Sequence, residues 1–552
     1  MDANLEPYSL TLKSLWKSIG RGEWIFISCI ILISVAVTTF PYLYGAVTAP
    51  SGMTYTGIHN LTPGDTNAYL SLIASVKEGT NTFVNLFTSE HQSVVDVNPL
   101  WWSVGMFAKI FHLSPLASFH ATRIILIGVL VVVAYLFLTL CFSSRARRKV
   151  ALVVICFASG VGLFVGPFVY NEAHRINYPV DAWVPESIPF LIMYNSPHFI
   201  ASLILIVICI ALMYMAFVTE KFVYCIAAGV AGFLLTWFHP FDTPTVVCVV
   251  GVFLLYLMVK RKKVYRRWLL QYSLYILLIA PAALYLFFLI YKDPVMALWQ
   301  QQNILLSPSI WMYLSAFALL LPFVVYALIR NDLKRSGITR LLIVWIAVSA
   351  ILLYVPVNFQ RRMVEGLFIP VAILAADGIV TLWERLKISA VQHGLQSLLL
   401  FGLVVFLPLT NLQIIGQDVS QYATMKDFPF YLTSGEMDTL SWIKNATDTQ
   451  SIFLSSRYFG NFIPAYAIRR VYIGHGPQTI DLERKIPEVY NFYTGAWDDA
   501  ARERFLKEKG IAYVVIGPRE EAYGSTDLAN KPFLKLVHST SDTRVYAVIA
   551  HR

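Results

Sequence analysis

The chain has 552 residues, of which 57% are hydrophobic and only 14% are charged. A soluble domain usually carries about 25% charged residues, so the composition excludes a conventional soluble enzyme, a disordered chain and a secreted disulfide scaffold. It fits a polytopic membrane protein. The net charge of +10 has three possible origins: nucleic-acid binding, acidic lipid, or the positive bias of cytoplasmic loops. The positions of the lysines and arginines distinguish these origins.

Long apolar stretches predict the membrane helices. A helix needs about 20 mostly apolar residues to cross a bilayer, and about eleven stretches meet that requirement. The first is longer than the apolar core of about 7–15 residues in a signal peptide, so we interpret it as a retained membrane helix. The predicted spans lie near residues 24–48, 115–142, 150–170, 199–218, 222–238, 243–259, 268–291, 309–329, 341–356, 364–382 and 395–414.

The positive charges predict the orientation of these spans. If the N-terminus is cytoplasmic, about 20 lysines and arginines fall in cytoplasmic segments and about seven in outer loops. An odd number of spans then places the C-terminal region outside a cell membrane, with membrane lipids around the spans. The charge surplus therefore predicts no nucleic-acid partner, and the glycines form no Walker-type loop or GxGxxG fingerprint.

Composition also predicts two domains. Residues 1–415 are predicted to form a transmembrane module. Residues 416–552 are predicted to form a small extracytoplasmic α/β domain, because helical and β-rich stretches alternate there. The predicted helices of this domain cover residues 435–445, 482–493 and 498–509. The β-rich runs cover residues 451–455, 470–474, 512–516, 534–538 and 544–549.

The first outer loop, residues 49–114, is too long to be a simple connector. Tyr69, Leu72 and Val76 recur at helical spacing, and Asn98-Pro99 is a start signal for a second helix. Both helices are amphipathic and too short to span a bilayer. We therefore expect them to lie along the outer membrane surface.

Polar residues concentrate on the predicted outer side, where a membrane protein would place a site. Asp65 stands at the start of the first loop helix. One interpretation is that it caps that helix, and another is that it is a general base at the rim of a cavity; a single carboxylate can serve both roles. Glu365, at the start of the span predicted at residues 364–382, belongs to the same outer set. The further candidate pocket residues are Glu90, His91, Glu172, His174, His198, His239 and Asp242.

These features together resemble the GT-C superfamily of membrane glycosyltransferases, which take sugars from polyprenyl-phosphate carriers. The resemblance lies in one helix followed by a long outer loop with an early Asp in Gly64-Asp65. It extends to two loop helices joined through Asn98-Pro99-Leu100-Trp101-Trp102, about ten further spans, an outward arginine pair and an outer α/β domain. Residues 194–199, 238–242 and 359–362 also resemble little-characterised prokaryotic members.

The resemblance implies a GT-C-like fold and a specific reaction. Asp65 would deprotonate an acceptor that attacks the anomeric carbon of a polyprenyl-phosphate-linked sugar, with inversion and release of polyprenyl phosphate. The acceptor class stays open among lipid, glycan and protein. Thr66 follows Asp65 where many relatives have a second acid, and Ser103 follows Trp101-Trp102, so the WWD signature of oligosaccharyltransferases is absent.

Arg361 and Arg362 are the predicted ligands of the donor phosphate, because a guanidinium matches a phosphate bidentately. The alternative is that they reach lipid head groups from a helix end. Two outward arginines oppose the positive-inside trend, which favours the functional interpretation. We expect His198, His239 and Tyr69 to complete the phosphate and sugar site.

Histidines and carboxylates are also ligands for divalent metals. No two of the candidates have the spacing of an HExxH motif, so the sequence identifies no certain cofactor, and a divalent metal is an alternative that we do not favour. A transporter or lipid flippase is the rival function, and it predicts internal repeats and broken helices. Another outer-leaflet transferase, of phosphoglycerol or acyl groups, is the rival within the enzymes.

Overall fold

The computed structural model describes residues 10–92, 96–169, 177–330, 337–386, 390–524 and 528–549. The chain divides into two compact units. The first unit consists of Met1–Phe40, Thr122–Leu286 and Ile304–Gln417, and the second of Pro41–Ala121, Phe287–Asn303 and Asp418–Arg552. The first outer loop and the C-terminal segment thus belong to one unit.

The apolar stretches form helices. Those that lie wholly or partly in the first unit are Leu12–Lys17, Arg21–Val47, Pro115–Cys141, Arg145–Phe157, Gly162–Val169, Pro189–Asn195, Pro197–Thr219, Phe222–Phe238, Thr243–Arg261, Arg266–Lys292, Ile310–Phe317, Leu321–Arg330, Gly337–Leu352, Phe368–Arg385, Ala390–Phe406 and Leu409–Thr424. Short 3-10 turns at Val180–Ala182, Pro240–Asp242 and Gln360–Val364 lie between them.

Among the described residues, eight helical segments are long and apolar enough to cross a membrane, or up to nine if one bent pair counts as a span. The bent pair is Ile310–Phe317 with Leu321–Arg330, and two shorter apolar helices are Phe222–Phe238 and Gly337–Leu352. Each of the eleven predicted stretches coincides with one of these segments. The protein is therefore a multi-pass α-helical membrane protein, as predicted; its orientation stays a prediction.

Arginines of the first unit neutralise buried carboxylates. Arg147 Nε lies 2.8 Å from Asp377 Oδ1, and Arg148 Nη1 lies 3.4 Å from Glu23 Oε1. Tyr135 also donates a hydrogen bond of 2.6 Å to Glu23. Asp377 and Glu23 are each only 2% exposed. The sequence indicated only an orienting role for these arginines, whereas they also pair with acids inside the unit.

The second unit contains the strands. They are β1 (Met53–Tyr55), β2 (Tyr431–Thr433), β3 (Ile452–Leu454), β4 (Arg470–Val471), β5 (Ile511–Ile516), β6 (Leu534–Ser539) and β7 (Arg544–Val548). Five of them form a sheet of order β4-β3-β5-β7-β6, in which β3 is parallel to β4 and β5, and β7 is antiparallel to β5 and β6. All five predicted β-rich runs contribute a strand, which confirms the α/β character of this segment.

The second unit also contains helices, and some of them connect the parallel strands. They are Asp65–Lys77, Pro99–Ile110, Pro294–Gln302, Ser434–Ala446, Ile463–Ala467, Leu482–Thr494, Asp499–Glu508 and Pro518–Glu521. The predicted helices at 435–445, 482–493 and 498–509 are each confirmed within a residue or two. Parallel strands need such connections, because the chain must return from the end of one strand to the start of the next at the opposite end of the sheet.

The first outer loop is part of the core of this unit. Strand β1 pairs antiparallel with β2, with Thr54 opposite Leu432. Ile58 is fully buried in a cluster with Tyr422, Tyr431 and Phe453. A three-residue strand has no clear period in the sequence, so the pairing of loop with C-terminal segment was not predicted.

Both predicted loop helices are present. Asn98 caps the second one, and its side chain accepts hydrogen bonds from the backbone N–H groups of Leu100 and Trp101. The first helix, Asp65–Lys77, packs against Pro99–Ile110 and Ile463–Ala467, and it buries polar residues as well as apolar ones. Its location along the membrane surface remains a prediction.

Glu520 gives the second unit a pH-dependent stability. Its buried carboxylate accepts hydrogen bonds from the backbone N–H groups of Ser456 (2.6 Å) and Gly517 (2.9 Å). Burial outweighs these bonds and raises the pKa of Glu520 from 4.5 to about 7. The folded chain therefore holds this proton more tightly than the unfolded chain. The resulting stability is fully present below pH 4.5 and is lost as the pH rises through 7.

We expect the melting temperature of the full chain in detergent to fall more between pH 5 and pH 8 than that of Glu520→Gln, in which this group does not titrate. The measurement is the difference between the two proteins at each pH, because other titrating groups then cancel. Parallel pH profiles for the two proteins would contradict the raised pKa.

Candidate functional site

Asp65 is the first residue of its helix rather than its cap. Gly64 holds the N-cap position and makes no side-chain capping bond, so the interpretation of Asp65 as the N-cap residue is wrong by one position. The carboxylate instead meets an imidazole: Asp65 Oδ1 lies 2.9 Å from His475 Nε2. The Asp65 side chain is 35% exposed and that of His475 only 6%.

Tight packing holds His475 against the loop. A Cβ atom at position 64 would lie 2.9 Å from His475 Cδ2, so glycine is needed for this approach. The imidazole meets the Phe87 ring edge-on at 5.8 Å, and its Nδ1 is buried without a hydrogen-bond partner among the described residues. The imidazole is enclosed and the carboxylate is partly open, so Asp65 is the more accessible member of the pair.

Tyr69 lies one helical turn after Asp65, so both side chains share a helix face. Its ring stacks on Trp101 with centroids 4.8 Å apart and an interplanar angle of 13°. Tyr69 is partly exposed. The second unit therefore presents a carboxylate and an aromatic ring side by side.

Glu90 is engaged by a buried lysine. Lys485 is fully buried, and its Nζ lies 2.7 Å from Glu90 Oε1. Thr88 donates a further hydrogen bond to Glu90. Burial raises the pKa of Glu90, but the Lys485 ammonium and the bonds from Lys485 and Thr88 outweigh burial, so the pKa lies below its ordinary value. The pair joins the loop to helix Leu482–Thr494 within the second unit, and a pocket role for Glu90 stays a prediction.

The other candidates differ in their surroundings. His91 is exposed. Glu172 and His174 lie outside the described residues. His198, His239, Asp242, Arg361 and Arg362 belong to the first unit. His198 and Asp242 lie at helix N-terminal ends, His239 follows the helix Phe222–Phe238, and the two arginines lie in the 3-10 turn Gln360–Val364. The structure thus places the candidates in two groups, one in each unit.

The group in the first unit is a polar cluster among helix ends. His239 Nδ1 lies 2.7 Å from Asp242 Oδ2 and 3.7 Å from Glu365 Oε2. The ring of His198 has its centroid 5.6 Å from that of His239, and His198 Nδ1 lies 2.7 Å from the Ser196 hydroxyl. Glu365 also accepts a hydrogen bond of 2.5 Å from Ser202. His198, His239, Asp242 and Glu365 are all at most 5% exposed.

The two arginines have different partners. Arg362 Nη1 lies 3.3 Å from Glu186 Oε1 and 3.3 Å from His239 Nε2, and its guanidinium lies over the Phe241 ring. The Arg361 guanidinium lies 4.5 Å from the centroid of Trp183. Protein side chains therefore hold Arg362, which disfavours the interpretation that it only reaches lipid head groups. Glu186 was missed because it stands alone in a Pro-rich segment.

Three side chains of types that bind metals lie together in the described part of the chain. They are His239, Asp242 and Glu365, and their ligand atoms are all within 4.8 Å of one another. His239 and Asp242 are three residues apart, but Glu365 comes from the distant turn between Gln360–Val364 and helix Phe368–Arg385. Sequence spacing therefore had no means of showing this group.

No family model and no curated protein sequence matches the chain. Solved structures match over nearly its whole length. The archaeal oligosaccharyltransferase AglB from Archaeoglobus fulgidus, in complex with an inhibitory peptide and a dolichol-phosphate, gives a TM-score of 0.56 at 12% identity; the match covers 90% of this chain and 70% of AglB. The apo form of the Archaeoglobus fulgidus oligosaccharyltransferase gives 0.56 at 13% identity, covering 95% and 74%. ArnT from Cupriavidus metallidurans in the apo state gives 0.50 at 10%, covering 94% and 97%.

At these identities the likeness establishes the fold. The sequence resemblance predicted the same architecture, and the order of helices, outer loop and C-terminal sheet segment agrees with it. This chain has the fold of the GT-C superfamily of membrane glycosyltransferases.

Proposed function

We propose that this protein is a membrane glycosyltransferase that moves a sugar from a polyprenyl-phosphate carrier to an acceptor at the outer membrane face. Its fold is that of AglB, an oligosaccharyltransferase whose structure contains dolichol-phosphate. The observation that carries the proposal is the Asp65–His475 pair. An enclosed imidazole orients a partly open carboxylate at the start of the first loop helix.

In the proposed reaction, Asp65 accepts the proton of the acceptor group as that group attacks the anomeric carbon of the donor. A bond forms between the acceptor atom and the anomeric carbon, and the bond from that carbon to the phosphate oxygen breaks. Polyprenyl phosphate leaves with the bonding electrons, and the anomeric configuration inverts. A positioned general base contributes about 10²–10⁴-fold to a rate.

Arg361 and Arg362 are the proposed ligands of the donor phosphate. Fixed guanidinium groups stabilise both the bound phosphate and the charge that develops on the leaving group. Arg362 is held between Glu186 and the Phe241 ring, and Arg361 lies against Trp183, so both are oriented before a donor arrives. His198, His239 and Tyr69 are proposed to contact the phosphate or sugar, and the acceptor is a lipid, a glycan or a protein.

A transporter or lipid flippase is the second candidate, and one observation favours it. The helices Ile310–Phe317 and Leu321–Arg330 meet at an angle of 77°, as expected for a broken span. Proteoliposomes loaded with a polyprenyl-phosphate sugar separate the two functions. Translocation of the intact lipid supports the transporter, whereas release of polyprenyl phosphate supports the glycosyltransferase.

The first test concerns Asp65. Purified protein is incubated with a panel of polyprenyl-phosphate sugars, and released polyprenyl phosphate is measured. We expect Asp65→Asn to lower the turnover of the best donor by at least about 100-fold, because the amide cannot accept the proton. Wild-type turnover by this variant would exclude Asp65 as the base.

Two companion variants sharpen this test. Glu78→Gln removes an acid at the other end of the same helix, where Glu78 pairs with Lys444 at 2.6 Å, and we expect it to keep wild-type turnover. His475→Gln can still donate a hydrogen bond to Asp65. We expect it to lower turnover less than His475→Leu does; leucine has about the volume of glutamine but no hydrogen-bond donor, so a purely steric role for the imidazole would not explain the difference.

The second test concerns Arg361. We expect Arg361→Ala to raise the dissociation constant of the donor by about 10–100-fold, the range for a lost charge-assisted hydrogen bond. Arg361→Lys keeps the charge but not the bidentate geometry and should give an intermediate value.

Arg340→Ala is the matched control, because Arg340 also lies over an aromatic ring, that of Tyr256 at 5.9 Å, but on the predicted cytoplasmic side. Its donor affinity should equal that of the wild type. Unchanged donor affinity in Arg361→Ala would remove Arg361 from the phosphate site.

A further inference from the structure

The polar cluster of the first unit contains more carboxylates than cationic side chains. We define it by Glu186, His239, Asp242, Arg362 and Glu365. The three carboxylates are at most 4% exposed, and one guanidinium accompanies them. In their ionised forms the three carboxylates carry three negative charges, against one positive charge on Arg362. Carboxylates in such a place need either protons or a further cation.

Hydrogen bonds satisfy one oxygen of each of these carboxylates but not the other. Glu186 Oε2, Asp242 Oδ1 and Glu365 Oε2 are buried and have no hydrogen-bond partner among the described residues. Asp242 occupies the N-cap position of helix Thr243–Arg261, yet its side chain makes no capping bond. The helix end attracts the negative charge, but it supplies no donor to these oxygens. The cluster therefore differs from an ordinary arrangement of helix caps.

The geometry suits one metal ion. Ligand atoms around a metal with bonds of about 2.0–2.2 Å lie about 3 Å apart. His239 Nδ1 is 2.7 Å from Asp242 Oδ2 and 3.7 Å from Glu365 Oε2, and the whole set lies within 4.8 Å. Side-chain shifts of about an ångström would bring all three to one ion.

We propose that His239, Asp242 and Glu365 bind one divalent transition-metal ion. One imidazole nitrogen with two carboxylate oxygens suits Mn²⁺ or Zn²⁺ better than Ca²⁺ or Mg²⁺, which take mainly oxygen ligands. The two charges of the ion, added to that of Arg362, balance the three carboxylates. The site does not rest on the proposed glycosyltransferase activity, because binding is measured directly.

Binding also has a consequence for Arg362. An ion on Nδ1 of His239 moves the ring proton to Nε2, which then cannot accept a hydrogen bond from Arg362. The contact of 3.3 Å between Arg362 Nη1 and His239 Nε2 must give way, while the contact between Arg362 and Glu186 remains. The ion therefore changes the position of an arginine that we propose as a ligand of the donor phosphate.

The experiment measures metal content. Full-length protein in detergent is stripped with a chelator, dialysed against Mn²⁺ or Zn²⁺ alone, washed, and analysed by mass spectrometry of the metal. We expect one ion per chain for the wild type and a loss of about tenfold for Asp242→Asn and for Glu365→Gln. Asp377→Asn is the matched control, since it changes a buried carboxylate of the same unit that pairs with Arg147, and it should keep one ion.

Two further measurements keep the test decisive if a variant fails to fold. Size-exclusion profiles and melting temperatures identify such a variant. In the wild type, pulsed electron paramagnetic resonance of bound Mn²⁺ should show coupling to an imidazole nitrogen. A wild type that stays metal-free, which would mean that protons neutralise the cluster, overturns the proposal. So does bound Mn²⁺ without nitrogen coupling, or full occupancy in both ligand variants.

Discussion

Several buried charged side chains of this protein each contact a group of opposite charge. Removing one member of a buried ion pair costs about 3–5 kcal/mol, a large share of the stability of most domains. The chain accordingly pairs Arg147 with Asp377 in the first unit, and Lys485 with Glu90 in the second. Because charged residues are so scarce here, each pair fixes where two distant segments meet. Lys485 and Glu90, for example, are 395 residues apart.

Local patterns in the sequence predicted part of the fold, whereas contacts between distant residues could not be predicted. Spans and strands follow from local patterns, so hydropathy located the apolar helices, and short β-rich runs located the five strands of the larger sheet. Asp65 and the polar residues near His239 were chosen as candidates because polar groups are costly in a membrane protein. Even the position of Asp65 relative to its cap was wrong by one residue, since helix boundaries are the least certain part of such a prediction.

The partners of these residues could not be predicted. His475 lies 410 residues from Asp65 in the chain, and nothing in its neighbourhood marks it as different from a histidine in any loop. Glu186 and Ser202 were likewise unremarkable until the fold placed them beside Arg362 and Glu365. Long-range pairing is a property of the tertiary structure, whereas spacing rules detect only ligands that share one helix or loop.

The two acidic groups suit different chemistry for the same electrostatic reason. Asp65 is about one-third exposed and has one imidazole partner, so it can exchange a proton with a group that approaches from outside. Asp242 and Glu365 are fully buried beside Glu186, so a group that approaches from outside does not reach either carboxylate directly. A carboxylate in the first setting is suited to act as a base. Carboxylates in the second are better suited to hold a fixed positive charge, and His239 provides the nitrogen ligand that makes a metal ion a better candidate for that charge than a second arginine.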